Sequence, residues 1–321
     1  MSRTVLIVEG HASYFCFHRL PWARRAEAEG YDVRVTALKT GEEDLVRDEG
    51  FPFYPIADAN LGRNPLSELG VFVRLVRLIG QLDPDLVHFI TLRAVLYGSI
   101  AARLVGTPAV LNSVTGLGFL FVEDTLKTRI LRWSVLQALR VGLRHPNQIT
   151  SFENPDDAAL FRSRNLLPEH RTIVTAGSGV DPERFSWAPE APVGDDGPLI
   201  LLPTRLLWHK GVETFVEAAR HLQSNGTQAR FVIVGGTDPG NPASVGEETV
   251  QAWENVDLIE WWGYQDPDKM PQILRRAHVV CLPSYYREGV PRGLIEAAST
   301  GRPIVTTDVP GCREIVAHEE N

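Results

Sequence analysis

Cysteine is scarce. Cys16, Cys281 and Cys312 stand far apart in 321 residues, which argues against a disulfide framework or a zinc cluster. Long apolar runs are missing as well. A spanning helix needs roughly 20 uninterrupted apolar residues, and even Leu86 to Val105 carries His88, Arg93 and Arg103. The opening run Thr4 to Val8 is too short for a secretory signal and stops at Glu9. There is no short-period repeat and no low-complexity tract. Basic charge is in deficit: 32 Lys and Arg against 40 Asp and Glu give a formal net charge of -8. A general nucleic-acid binder needs basic surface to replace counterions, so no nucleic acid is expected as a partner. What remains reads as a cytoplasmic protein whose 44% hydrophobic content suffices for two cores.

Apolar runs of strand length alternate with amphipathic segments of helix length. Strands are expected at Thr4 to Glu9, Asp32 to Ala37, Leu86 to Phe89, Ala109 to Val114 and Gln148 to Phe152, and helices at Phe17 to Glu29, Pro65 to Leu82, Leu92 to Val105 and Asp156 to Arg164. Unalternating Val, Ile and Leu suit strands buried on both faces, the mark of a doubly wound parallel α/β sheet. The first domain is placed at residues 1–184. A stretch rich in Pro, Gly and acid, 185–198, reads as a linker, and the pattern restarts in a second domain, 199–321. That domain has strands at Leu199 to Thr204, Arg230 to Val234, Leu258 to Trp262, Val279 to Leu282 and Ile304 to Thr307, with helices near Val212 to Gln223, Pro271 to Arg276 and Pro291 to Ser299. Two such domains would face each other across a cleft. The second, ending at Asn321, is expected to be either unusually small or truncated at its C-terminus.

Two stretches of the second domain carry chemistry. Arg205 and Lys210 follow its first strand, and Gly211 opens the next helix. Two cations there could hold a diphosphate and stabilise the charge it gains as a leaving group. Later, SYYREGVPRGLIEAAST from Ser284 to Thr300 sets Glu288 and Glu296 on either side of a helix start at Pro291. The first N–H groups of that helix suit a phosphate. Carboxylates only accept hydrogen bonds and sugars offer rows of hydroxyl donors, so a ligand with a sugar on each side of a phosphate, a nucleotide-sugar, fits the spacing.

These residues, with GSGVD at Gly177 to Asp181, VGG at Val234 to Gly236 and WWGY before a helix, resemble the retaining family 4 glycosyltransferases of the two-Rossmann GT-B fold. In the first half DLVHFITLRAVLYGSIAARLVGTP, VTGLGFLF and SFENPDDAALF resemble the branch that builds capsule, O-antigen and related surface polysaccharides. The resemblance implies that Arg205 and Lys210 bind the diphosphate, Glu288 the transferred sugar and Glu296 the ribose, with phosphate held by the backbone of Gly289 and Val290. Gly235, Gly236 and Tyr264 join the donor site, Tyr264 beside a nucleobase for which uracil is preferred and guanine stays open. It also implies transfer to a glycan or polyprenyl-diphosphate-linked acceptor with retention, without a metal ion or cofactor, the diphosphate itself helping to take the acceptor proton. On the acceptor side the candidates are Thr115, Gly116 and His88, the last at the end of an expected strand and reading equally well as a hydrogen-bonded structural histidine. Many relatives place a histidine where this chain has Thr115, so no titrating role is carried over.

Two Asp-Pro-Asp triplets, Asp83 to Asp85 and Asp266 to Asp268, read as turns rather than metal ligands. Leu126 to His145 carries five basic residues, no acid, Trp133 and several leucines. It suits either a core-facing helix with a basic outer side or a helix lying on the anionic inner face of the plasma membrane. Other readings of the same fold are a nucleotide-sugar epimerase, a phosphorylase or an inactive truncated fragment.

Overall fold

The computed structural model describes residues 2–58, 65–118, 121, 124–238, 240–241 and 243–318. The chain divides into two compact units, Met1–Ser178 and Gly179–Asn321.

The first unit is a sheet of seven strands: β1 (Thr4–Val8), β2 (Asp32–Lys39), β3 (Phe53–Asp58), β4 (Leu86–Ile90), β5 (Ala109–Val114), β6 (Gln148–Phe152) and β7 (Thr172–Val174). All pairs are parallel, in the order β3-β2-β1-β4-β5-β6-β7. The helices are α1 (Ala12–His18), α2 (Leu20–Ala28), α3 (Glu43–Asp48), α4 (Pro65–Leu82), α5 (Leu92–Val105), α6 (Leu126–Gly142) and α7 (Pro155–Ser163). One core layer gathers Phe15, Ala23, Val35, Val46 and Phe51 from α1 to α3 and the sheet; the other gathers Leu75, Ile79, Phe89, Val95, Leu139 and Phe161 beneath α4 to α7. The single helix expected over Phe17 to Glu29 is two. Arg19 leaves helical geometry at φ -122°, and Pro21 sits in the first turn of α2, where its missing N–H costs nothing.

The second unit has five parallel strands: β8 (Leu199–Pro203), β9 (Arg230–Val234), β10 (Glu260–Trp261), β11 (Val279–Leu282) and β12 (Ile304–Thr306), in the order β10-β9-β8-β11-β12. Its helices are α8 (Val212–Ser224), α9 (Glu247–Glu254), α10 (Met270–Arg276) and α11 (Arg292–Ser299). Residues 185–198 lie along this unit. Phe185 is buried in its core, its carbonyl accepts from Ser299 Oγ at 2.7 Å, and the Ala191 carbonyl pairs with His278 Nε2 at 3.0 Å. In each sheet the strand order reverses once, at β1/β4 and at β8/β11. Open α/β sheets bind ligands beyond the carboxyl ends of the strands at such a reversal.

Candidate functional site

At the β8/β11 reversal the two charged stretches of the second unit meet. The chain leaves β8 through Thr204 and Arg205, makes one 3-10 turn at Trp208–Lys210 and enters α8 through Gly211. Lys210 Nζ pairs with Glu288 Oε2, both side chains largely buried. Ser284 Oγ donates to the other Glu288 oxygen at 2.8 Å and lies 3.3 Å from the His209 carbonyl. The Tyr285 N–H donates to the same carbonyl at 3.1 Å. The His209 ring stacks on Tyr286 with centroids 4.1 Å apart. Burial, with Lys210 beside it, pushes this imidazole down to about 4, so it is neutral at pH 7. Sequence spacing brought out Lys210 and Glu288 but not the Ser284 and His209–Tyr286 contacts that fix them, since nothing in the residue order tells which loops touch.

Arg205 stands further out, half-exposed, with its guanidinium 3.2 Å from Asp238. Gly235 and Gly236 follow β9. At Gly235 a side chain would collide with the Thr204 carbonyl at 1.8 Å, so the β8 and β9 loops approach there only because the residue is glycine. The Gly235 N–H donates to the Gly263 carbonyl at 2.9 Å, and Tyr264 follows, exposed, with its Cβ beside Gly236. The carboxyl ends of β8, β9 and β11 and the loop after β10 therefore present Arg205, Lys210, Gly235, Gly236, Tyr264 and Glu288 along one edge of the sheet.

α11 completes this edge. It begins at Arg292, with Pro291 capping it at φ -64° and ψ 118°, one residue later than the spacing suggested. Proline still serves the start, because it has no N–H to leave unpaired. Val290 is buried, and the backbone at Gly311 packs on the Gly289 carbonyl. Glu296, on α11, accepts from Arg292 Nε at 2.9 Å. Burial raises its carboxyl above the usual range, against the pull of Arg292. Of the two Asp-Pro-Asp triplets, the second forms a turn before α10, where Asp266 accepts from the Asp268 N–H at 2.9 Å, while Asp85 of the first accepts from the distant Thr4 N–H at 2.7 Å.

In the first unit His88 lies on β4, Thr115 and Gly116 just after β5. His88 is buried, with Nε2 2.8 Å from Ser113 Oγ; burial pushes it down to about 3, so the imidazole is neutral at neutral pH. The sequence did not point to Glu9. It follows β1, only 5% exposed, and burial pushes its carboxyl up to about 7 from 4.5 against the Gly10 N–H and Arg19, with Glu153 adding to the rise. His88 packs near the same Arg19. The folded state thus holds this proton more tightly than the unfolded chain. Its contribution to stability is full below about pH 4.5 and is lost as the pH rises through about 7. The stability difference between Glu9→Gln and the native chain is expected to grow by about 3 kcal/mol from pH 4 to pH 8. Denaturant titrations at both pH values check this, and parallel pH profiles for the two proteins would refute it.

Residues 4–153 match the family model described as glycosyl transferase 4-like, and residues 183–321 match glycosyl transferases group 1. The chain is 25% identical over 324 residues to the N,N'-diacetylbacillosaminyl-diphospho-undecaprenol alpha-1,3-N-acetylgalactosaminyltransferase of Campylobacter jejuni, covering 96% of this chain and 81% of the relative. It is 26% identical over 305 residues to the UDP-Gal:alpha-D-GlcNAc-diphosphoundecaprenol alpha-1,3-galactosyltransferase of Escherichia coli, covering 91% and 75%. Among solved structures, Anabaena HepE in complex with UDP and glucose superposes with a TM-score of 0.71 at 17% identity, covering 98% of this chain and 83% of that one. Sucrose-phosphate synthase from Thermosynechococcus elongatus gives 0.77 at 19% identity, covering 99% and 84%. At such identities the structures establish the fold, and the two family models, one on each unit, together with that fold make this chain a glycosyltransferase of the GT-B type.

Proposed function

We propose that this glycosyltransferase moves a sugar from a UDP-sugar, with retention and without a metal ion, to a polyprenyl-diphosphate-linked acceptor sugar in surface-polysaccharide assembly. The observation that carries the reading is the meeting of Lys210 and Glu288 at the strand reversal of the second sheet. A donor diphosphate would compete with Glu288 for the Lys210 ammonium, releasing the Glu288 carboxylate to accept from sugar hydroxyls. Arg205 would add a second cation, and Glu296 would accept from the ribose. As the bond from C1 to the diphosphate oxygen breaks, the acceptor oxygen bonds to C1 on the same face and its proton passes to the departing diphosphate. The fixed cations stabilise the charge that develops there. Acceptor class is supported by the undecaprenol-diphosphate substrates in the names of the two bacterial relatives, and uridine by the name of the second. The test is a panel of α-linked UDP-sugars with a prenyl-diphosphate-sugar acceptor. An α-linked product, with UDP released only when acceptor is present, is expected; a β-linked product would overturn retention, and acceptor-independent turnover would favour an epimerase.

The same reading places the chain on an anionic membrane. No described helix is long and apolar enough to cross a bilayer, yet α6 exposes Leu126, Ile130 and Trp133 beside Lys127 and Arg129. α4, which like α6 packs on α5, exposes Leu66 and Leu69, with Arg74 and Arg77 further along it. Helices return antiparallel to the strands they join, so both sets of apolar side chains emerge near the carboxyl edge of the first sheet. Each basic residue at an anionic surface contributes about 1 kcal/mol, and the apolar side chains add their burial. Co-sedimentation with phosphatidylglycerol vesicles is expected at low salt and should be lost in a Leu66→Asp, Trp133→Asp variant of unchanged melting temperature. Equal sedimentation of the variant would remove these helices from the interface.

A further inference from the structure

The first sheet has its own strand reversal, at β1/β4, and polar groups gather there that the donor chemistry does not use. Glu9 follows β1, and one of its oxygens accepts from the Gly10 N–H at 2.8 Å. The other lies 3.9 Å from Arg19 Nε, while Arg19 Nη2 lies 3.7 Å from Glu153, which follows β6. Both separations exceed hydrogen-bond length, and Arg19 Nε is buried with no hydrogen-bond partner among the described residues. His88 is in register with Ile7 of β1, so it shares a face of the sheet with the position two residues on, Glu9. It is 4% exposed, with the Trp22 ring 5.0 Å away, and its Nδ1 also has no partner among the described residues. From Nε2 a relay continues through Ser113 to Ser151 at 2.8 Å per link.

The backbone beside this cluster is strained. Thr91, immediately after β4, sits at φ 81° and ψ 152°, a region that glycine alone occupies without cost. Such a residue forfeits stability and persists where surrounding structure imposes it, most often at a ligand site. Its N–H is held by the Ser113 carbonyl at 2.9 Å, which ties the strain to the His88 relay.

Buried polar atoms are nearly always paired, and each exception calls for an explanation. Here two occur together at a strand reversal, where ligands of such sheets bind. We infer that Arg19, Glu9 and His88 form the site that grips ring hydroxyls of the acceptor sugar and so sets acceptor specificity. The inference rests on the acceptor reading given above. The chemistry favours a sugar over its diphosphate. Arg19 only donates, a carboxyl group accepts and, when protonated, also donates, and a neutral imidazole nitrogen does one or the other. A mixed set suits hydroxyls, which do both, whereas a diphosphate only accepts and would meet the Glu9 and Glu153 carboxyls.

The test uses the full chain with farnesyl-diphosphate-linked N-acetylglucosamine as acceptor probe and UDP as donor probe. Arg19→Lys keeps the charge between the two carboxylates but lacks the Nε–H, and Glu9→Gln keeps the shape. With Arg19→Gln and Glu9→Ala they form a graded set whose melting temperatures report folding. Arg19→Lys, Arg19→Gln and Glu9→Ala are expected to weaken probe binding about tenfold or more while UDP affinity stays within about twofold of native, with Glu9→Gln between. A structural role would lower both affinities together, and that result, or unchanged probe affinity in Arg19→Lys and Glu9→Gln, overturns the inference. If the native chain binds UDP and not the probe, the acceptor reading fails and this inference with it. If native binding is normal and the variants match it, this inference alone falls.

Discussion

Lys210→Ala is expected to lower the turnover of sugar transfer by about 100- to 1,000-fold, the usual loss when one fixed group facing developing charge is removed. Glu288→Ala is expected to lose at least as much, because it removes the proposed sugar ligand and leaves the ammonium without its carboxylate. Each single change also strands a charge in a largely buried place, which on its own destabilises. The double variant Lys210→Met, Glu288→Gln removes both charges with little change in volume. It should melt close to the native chain and still lack transfer. Steady-state kinetics beside thermal melts separates the two effects: near-native turnover in the double variant would take the pair out of the chemistry.

Gly211→Ala is expected to destabilise the second unit by about 2–5 kcal/mol. The residue turns the chain from the Lys210 loop into α8 at φ 77°, a conformation costing a non-glycine residue about 1–2 kcal/mol. An added Cβ would also lie 2.0 Å from the Pro283 carbonyl at the end of β11, and overpacking of this kind costs about 1–3 kcal/mol more. That close approach brings the end of β11 against the loop carrying Lys210, so activity should fall even in the fraction that folds. Urea denaturation followed by tryptophan fluorescence measures the loss. A midpoint indistinguishable from native would show that the β8 and β11 loops are not held by this contact.

Much of the fold was legible because parallel strands covered on both faces need unbroken apolar runs. β5, β6, β9 and β11 fall where Ala109 to Val114, Gln148 to Phe152, Arg230 to Val234 and Val279 to Leu282 were expected. What escaped was peripheral or short. β3 carries Pro55, which only an edge strand tolerates, and β3 is an edge; β7 has three residues. α9, Glu247–Glu254, mixes acid and apolar residues over two turns, too few for its period to stand out. At the site, charge and glycine spacing marked Arg205, Lys210, Glu288 and Glu296, because charged residues beside glycine and proline at the expected strand ends and helix starts stand out in the residue order. Arg19 was hidden inside what read as one continuous helix, and Glu9 read only as the end of an apolar run. Their significance lies in burial and in hydrogen bonds that are not made, and neither is written in residue order.

The central claim is that the Lys210–Glu288 edge of the second sheet binds a uridine diphosphate. Calorimetric titration of UDP into the chain, with Lys210→Ala in parallel, addresses it without needing the acceptor or the identity of the sugar. Saturable binding at one site is expected, weakened by added salt and at least about tenfold weaker in Lys210→Ala. Absence of UDP binding to the native chain, or equal affinity in the two proteins, would contradict it.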